Sequence, residues 1–471
     1  MTRSKLLVGV LAVCVIAGAC SRSSSNKPAT TAAPATTAAA GGATSSTAPN
    51  PCAGVTLQAT DVGITPTDIT LEVMADVGSP LAPGLFQGNL DAVSAFASYI
   101  NANGGIACRQ LKVRTWDSKL DPTESKNGLI DACSNAFAMV GNNALFNPDM
   151  SPATGCADKS GAATGLPDIT ALANDVNEEC ATKVEFNVQN VIPTCPVGTG
   201  VIPQTAQVGP TKWYIQQFGA LHGIYMIPAD LPTTIRSSLS QADAQQQAGV
   251  SWDAKVKVSG ADAQPAYTPR VQAAKAANSN YVYDGSNDVA MIRMRKEAEA
   301  QGLTSVKLWA CSLACYTQVF LQQGGTSVEG TYLWIQFLPY EEASYNAADQ
   351  AFVTAIGNKI TSWGANAWQA GMAFQEAVNA VVAKSGPNGV TRAAVLAALK
   401  GLNNFTADGW LGTVPKALQG PVQFSPCYMI MKVQGGKFVR VYPTKPGTLD
   451  CTPSNVTTIN IDPIAEANAL K

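Results

Sequence analysis

Histidine is nearly missing from this chain: there is one, His222, in 471 residues. That excludes every scheme needing two imidazoles, including a zinc-protease helix. A serine triad would have to use His222, and no nucleophile motif points to it. The GxSxG elbow, the GxxxxGK phosphate loop and the HExxH helix are all lacking. Gly198-Thr199-Gly200 leads into Val201-Ile202-Pro203 rather than a helix, so it fails the dinucleotide fingerprint. Charge is scarce as well. Charged residues make up 14% of the chain, against about 25% in ordinary soluble proteins. The net charge of -2 leaves no excess of cations for a nucleic-acid surface. CxxC pairs are lacking, which with one histidine argues against a metal centre. Neither catalysis nor a cofactor is expected, and no metal.

What the chain does contain begins with an export pattern. Met1 to Lys5 is short and basic, Leu6 to Ile16 is apolar, and Ala17-Gly18-Ala19 supplies small residues before Cys20. The apolar run is too short for a membrane span, which takes about 20 residues. A cysteine directly after the small residues resembles a bacterial lipobox. That resemblance implies a signal over residues 1–19, a lipid on Cys20 and anchoring to the outer face of the cell membrane. Residues 21–50 are nearly all Ser, Thr, Ala, Pro and Gly, which cannot build a core and read as a tether. Setting aside Cys14 and Cys20, ten cysteines remain of twelve. An even number in an exported chain reads as disulfides. Proximity suggests Cys180–Cys195, Cys311–Cys315 and Cys427–Cys451, leaving Cys133, Cys156, Cys52 and Cys108 as Cys133–Cys156 and Cys52–Cys108. Sequence alone leaves the connectivity open.

The folded part reads as α/β. Ile69 to Val77 is a strand, and Leu90, Val93, Ala97 and Ile100 recur at helical spacing. Leu111, Val113 and Thr115 alternate as a second strand, Asp121-Pro122 opens a helix, and Phe137 to Val140 is a third strand. Such a β-α-β-α-β series builds a parallel sheet with helices on both faces. The pattern restarts near Gly223 and runs to the strand Thr331–Phe337. Three helices over residues 347–399 and a hairpin over Met429–Tyr442 follow, and the last twenty or so residues read as a peripheral tail. Two similar units suggest two lobes.

Several short stretches, taken in order, resemble the type I periplasmic binding proteins, specifically the branched-chain amino-acid-binding group. They are Gly78-Ser79-Pro80-Leu81-Ala82, Tyr99 to Ile106, Asp117, Asp121-Pro122, Val140-Gly141, Tyr281-Val282-Tyr283-Asp284-Gly285, Glu299 to Leu303, and Val328 to Thr331. The likeness spans roughly residues 65–445. It implies a two-lobed fold, each lobe a doubly wound, mostly parallel sheet, the lobes joined by three hinge crossovers. Lobe I would take residues 64–214 and 338–412, and lobe II residues 215–337 and 413–445. Residues 20–63 would be tether and 446–471 a tail. Hinges are expected near Lys212–Ala220, Ile335–Tyr340 and Thr413–Ala417. The implied function is capture of a small solute, monomeric and without nucleic acid, for delivery to the permease subunits of an ABC importer. A ligand-sensing or scaffold lipoprotein on the same fold is the alternative, and the segment Asn174–Lys212 could serve a partner surface.

Crevices at strand ends and helix N-termini hold ligands in such folds. The candidate ligand contacts are Ser79 and Phe86 in the first loop, Asn142 and Asn143 after the third strand, and Thr170 and Ala171 further on. From the second lobe come Tyr283, Asp284 and Ser312. Two departures from the family stand out. Asparagine occupies 142 and 143 in place of serine or threonine. Cys311-Ser312-Leu313-Ala314-Cys315 stands where amino-acid binders carry an acid, so Asp284 would have to substitute or the solute would lack an ammonium group. Tyr283, Trp334 and Trp368 also suit a core, and His222 has no visible partner.

Overall fold

The computed structural model describes residues 52–181, 184–187, 195, 200–416 and 425–470. The export signal, Cys20 and the tether up to residue 51 lie outside them, as does Ala417 of the third expected hinge.

The first half alternates strand and helix: β1 (Asp68–Ala75), α1 (Gln87–Ala102), β2 (Gln110–Asp117), α2 (Pro122–Asn135) and β3 (Ala138–Asn142). Short pieces follow: α3 (Ser151–Thr154), β4 (Asp168–Thr170), α4 (Val176–Glu179) and β5 (Glu185–Asn187). The strands form one parallel sheet in the order β2-β1-β3-β4-β5. β1 is covered on both faces, which is why its sequence runs apolar with little alternation. Asp121 caps α2 by accepting from the Thr123 and Glu124 amides (2.8 and 3.0 Å), so the Asp-Pro pair starts the helix where expected.

The second half comprises β6 (Ile202–Gln207), α5 (Gly209–Phe218), β7 (His222–Pro228), α6 (Pro232–Gln247) and β8 (Ser251–Val258). It continues with α7 (Thr268–Ala276), β9 (Tyr281–Asp284), α8 (Asp288–Ala300), β10 (Leu308–Cys311), α9 (Gln318–Gly324) and β11 (Tyr332–Ile335). The chain then returns to the first sheet through α10 (Ala347–Ile356), α11 (Ser362–Ser385) and α12 (Arg392–Gly401), and through the small hairpin β12 (Asn403–Phe405) and β13 (Val414–Lys416). It ends with β14 (Met429–Gln434), β15 (Lys437–Tyr442), β16 (Val456–Ile461) and α13 (Pro463–Ala469). The second sheet has the order β15-β14-β11-β10-β9-β7-β8, parallel from β11 to β8 and antiparallel at β14 and β15.

α11 lies along α1 over β3 and β4. Glycine allows the approach: a Cβ at Gly371 would fall 2.8 Å from the Phe96 ring, and one at Gly364 2.9 Å from the Gly88 carbonyl. Two arginines fasten irregular chain to this core. The Arg392 guanidinium is wholly buried and donates to the carbonyls of Phe137, Ala157, Cys133 and Ala136. Arg109 donates to those of Thr65, Ala107, Pro387 and Gln58. Five disulfides close, Cys52–Cys108, Cys133–Cys156, Cys180–Cys195, Cys311–Cys315 and Cys427–Cys451.

Three expectations are corrected. Residues 52–63 are not tether: Cys52 is bonded to Cys108, and buried Asp61 accepts from the Arg392 amide (2.7 Å). Residues 446–470 are not a peripheral tail, because β16 pairs antiparallel with β6 over six residues and Ile461 is fully buried. Residues 212–218, expected as a hinge, lie within α5. The first two depend on partners far away in sequence, which local patterns do not reveal.

Candidate functional site

The carboxyl ends of the two sheets face each other. Leu145, beyond β3, offers its carbonyl to the Thr233 hydroxyl at the start of α6 (2.6 Å). Leu81, beyond β1, approaches Gly260, beyond β8, so closely that a Cβ there would lie 2.4 Å from the Leu81 carbonyl oxygen. Arg236 of α6 donates to the Asn174 carbonyl (2.7 Å) and pairs with Glu179 of α4 (2.8 Å), both side chains buried. Phe86, Ala75 and Leu145 from one half pack with Leu231 from the other, and Phe86 meets Trp363 edge-on at 5.3 Å. The two halves therefore meet along a closed seam, lined partly by apolar side chains.

The expected site residues fall into three groups. Phe86 and Asn143 stand at this seam end of the first sheet, both buried, and neither polar atom of the Asn143 side chain has a partner among the described residues. Ser79, Thr170 and Ala171 are buried at the same strand ends; the Ser79 hydroxyl accepts from the Leu81 amide (3.3 Å), and the Ala171 amide donates to the Asn142 carbonyl (2.9 Å). Asn142 is different. Its side-chain oxygen accepts from the Met74 amide and its nitrogen donates to Asp168, each at 2.7 Å, so both ends are engaged within the sheet. Gly141 makes this possible. Its φ of 76° bends β3, and a Cβ there would strike Val93 at 2.6 Å.

In the second half, Tyr283 is a core residue. Its hydroxyl accepts from the Trp334 indole (3.0 Å) and its ring stacks on Tyr225 at 5.1 Å. Asp284 is fully buried: one oxygen accepts from the Ser286 amide (2.8 Å), the other has no partner among the described residues, and burial pushes the carboxyl well up. Its oxygen lies within 4.8 Å of the Cys311 and Cys315 sulfurs. Those sulfurs are joined to each other and offer no thiolate to a metal. Ser312 is half-buried and its hydroxyl accepts from the Ala314 amide (3.4 Å).

A family model described as periplasmic binding protein matches residues 68–437. The chain belongs to that family. Among solved structures, this periplasmic binding protein is similar to an extracellular ligand-binding receptor from Rhodopseudomonas palustris HaA2 (16% identity, 80% of this chain and 100% of that one, TM-score 0.60). It is also similar to the substrate-binding protein of an ABC transporter from Aeropyrum pernix (12%, 85% and 99%, 0.63). A leucine-binding protein from Thermotoga maritima is a third (13%, 79% and 97%, 0.58). At these identities the likeness is one of fold: the two-lobed α/β architecture of type I periplasmic binding proteins. No curated protein matches the chain.

Several residues at the strand ends of this periplasmic binding protein escaped the sequence reading. Asp76 is buried at the end of β1 and ties three loops together, accepting from the Ser118 hydroxyl, the Leu120 amide (both 2.7 Å) and the Leu145 amide (2.8 Å). Elsewhere in the first half, Asn147 donates to Glu178 (3.3 Å) and Asp168, the first residue of β4, accepts from Asn142 (2.7 Å), all of them buried. Asp288 opens α8 and accepts from the Thr317 hydroxyl (2.6 Å), placing a carboxylate near the loop where the family's acid is missing. The signal was present for Asp288, which directly follows a capping Asn287 after a strand. Nothing local marks Asp168 or Glu178.

Proposed function

We propose that the chain captures a small solute between its two α/β halves and hands it to the permease of an ABC importer. Lobe I would comprise residues 64–214 with 338–412, and lobe II 215–337 with 413–445. The meeting of the two sets of strand ends at the Thr233–Leu145 and Gly260–Leu81 contacts carries this reading. Family membership and the likeness to a ligand-binding receptor and a substrate-binding protein support it. Crossover chain supports a hinge as well. Phe337 and Leu411 form an antiparallel bridge, and the Gly412 amide donates to the Gln336 carbonyl (2.8 Å), so two crossovers run side by side. Bending there would open the seam, and a solute would stabilise the closed form by its preference for it.

Asn143, Ser79 and Thr170 from the first half and Asp284, Asp288 and Ser312 from the second are the side chains proposed to meet the solute. A lipid on Cys20 would hold the protein on the outer face of the membrane, raising its concentration near the permease. The test is a thermal-shift screen of amino acids, amides, amines and organic acids. A solute at a hundred times its dissociation constant stabilises by roughly 2.7 kcal/mol. Stabilisation by one solute class is the expected result. A screen in which no class shifts the melting temperature would remove the solute-binding reading. Separately, Cys20→Ala should move the protein from the membrane to the soluble fraction.

A further inference from the structure

The second crossover leaves β11 and reaches α10 through a turn at Tyr340–Tyr345. This turn is fastened to the second half. Glu342, 9% exposed, accepts from Arg440 of β15 with both oxygens (2.5 and 2.6 Å) and from the Gly447 amide (2.8 Å). Such a two-pronged arginine–carboxylate pair fixes orientation as well as distance. Glu341 accepts from the Tyr316 hydroxyl (2.5 Å), which in turn accepts from the Tyr340 amide (3.0 Å). The Tyr316 and Tyr340 rings stack at 4.7 Å, and Phe438 of β15 meets Tyr316 edge-on at 4.9 Å. Tyr316 directly follows the loop at the carboxyl end of β10, which the Cys311–Cys315 bridge closes.

Beyond the turn the partners change. α10 packs along α1, and its Phe352 meets Trp368 of α11 at 5.5 Å. Tyr340 touches Phe352 at 5.8 Å, but this contact is apolar and non-directional, so it can slide. Asn346 alone separates the turn from the helix, and its backbone is extended (φ −141°, ψ 126°). Its side-chain oxygen caps α10 by accepting from the Ala348 and Asp349 amides (2.9 and 3.0 Å). Its side-chain nitrogen donates to the Asp408 carbonyl of the third crossover (3.0 Å). Hinges are a few residues at element ends that absorb a change of φ and ψ between two rigid bodies.

We infer that the second crossover bends at Asn346, and that Tyr316 is the positioning residue tying the loop after β10 to this pivot. The inference rests on the hinged, solute-capturing reading and deepens it. Tyr340–Tyr345 then travels with the second half, and the bend falls after it rather than at Ile335–Tyr340. A solute pressing on the loop at Ser312 displaces Tyr316, and through Tyr316 the turn that leads into the bend.

The experiment is pulsed electron paramagnetic resonance of the full chain carrying pairs of nitroxide labels, with no solute added. Labels are attached through Ile130→Cys in α2 of the first half, Val319→Cys in α9 of the second, and Ser344→Cys in the turn, all exposed positions. Distances are compared between the parent and Arg236→Met, which removes the Arg236–Glu179 pair. Thr233→Val, which removes the hydroxyl bonded to the Leu145 carbonyl, takes its place if that variant does not fold. The 130–319 and 130–344 distances should lengthen together while 319–344 stays constant. Tyr316→Phe keeps the ring and removes the hydroxyl; it should broaden the 319–344 distribution, which a loss of stability alone would not do. If 319–344 lengthens while 130–344 stays constant, the bend lies before the turn, and the pivot is overturned in a protein that still hinges. A 319–344 distribution unchanged by Tyr316→Phe would overturn the positioning role. A 130–319 distance unchanged in both opening variants would overturn the inference together with the hinge, and the thermal-shift screen would then judge solute binding independently.

Discussion

The Arg236–Glu179 pair is the sharpest handle on closure. Arg236 lies in α6, against the second sheet, and Glu179 in α4, beyond β4 of the first; their side chains are 3% and 1% exposed and 2.8 Å apart. Arg236→Met leaves Glu179 buried without its cation and takes donors from the Asn174 carbonyl and the Gln204 side chain. Breaking a buried pair by removing one partner costs roughly 3–5 kcal/mol. If the pair spans the seam, that cost falls on the closed form, because opening returns Glu179 to water. The closed-to-open ratio should then drop by about two to four powers of ten. Small-angle scattering should show a larger radius of gyration for Arg236→Met than for the parent. The double variant Arg236→Met/Glu179→Met removes both charges and should recover much of the loss, a non-additivity that a double-mutant cycle measures. An Arg236→Met protein that melts earlier yet scatters like the parent would refute the reasoning. It would show that the pair braces one half rather than joining two.

Other consequences are more local. Arg392→Met removes the donors of four backbone carbonyls and should lower stability by at least about 3 kcal/mol in urea unfolding; a loss below about 1 kcal/mol would show that water replaces the guanidinium. Asp349 is fully buried, neither oxygen has a partner among the described residues, and burial, then Glu341 and Glu342, push it up to about 8. A raised carboxyl stabilises the fold while protonated, so its contribution is present at low pH and is lost as pH rises from about 4 to 8. The melting temperature of Asp349→Asn should accordingly gain on the parent across that range, and a gap independent of pH would contradict the assignment. Removing Cys52–Cys108, which closes a separation of 56 residues, should cost about 4 kcal/mol. Removing Cys311–Cys315, which closes a separation of four, should cost about 2 kcal/mol. Equal losses would argue against the chain-entropy account.

The sequence displayed both sheets well where strands are buried on both faces and punctuated by caps. β1, β3, β7 and β9 read as short apolar runs for that reason, and Asp121 marks a helix start through an oxygen that accepts two amides. The three-residue strands β4, β5, β12 and β13 did not declare themselves. β6 and β16 are edge strands that define each other across some 250 residues, so neither carries a pattern independent of its partner. The same holds for residues 52–63, whose order comes from Arg109, Arg392 and Cys108 rather than from their own composition.

The site was less legible than the fold, for a physical reason. Strand-end position can be inferred from sequence, and that placed Asn143 and Ser79 near the seam. Which polar atoms remain unengaged cannot. Asn142 and Asn143 are adjacent and chemically identical, yet the bend at Gly141 commits the first to Met74 and Asp168 and leaves the second without a partner among the described residues. Asp168 ends up buried because β4 is flanked by β3 and β5, and Glu178 because α4 folds back onto the loop at Asn147.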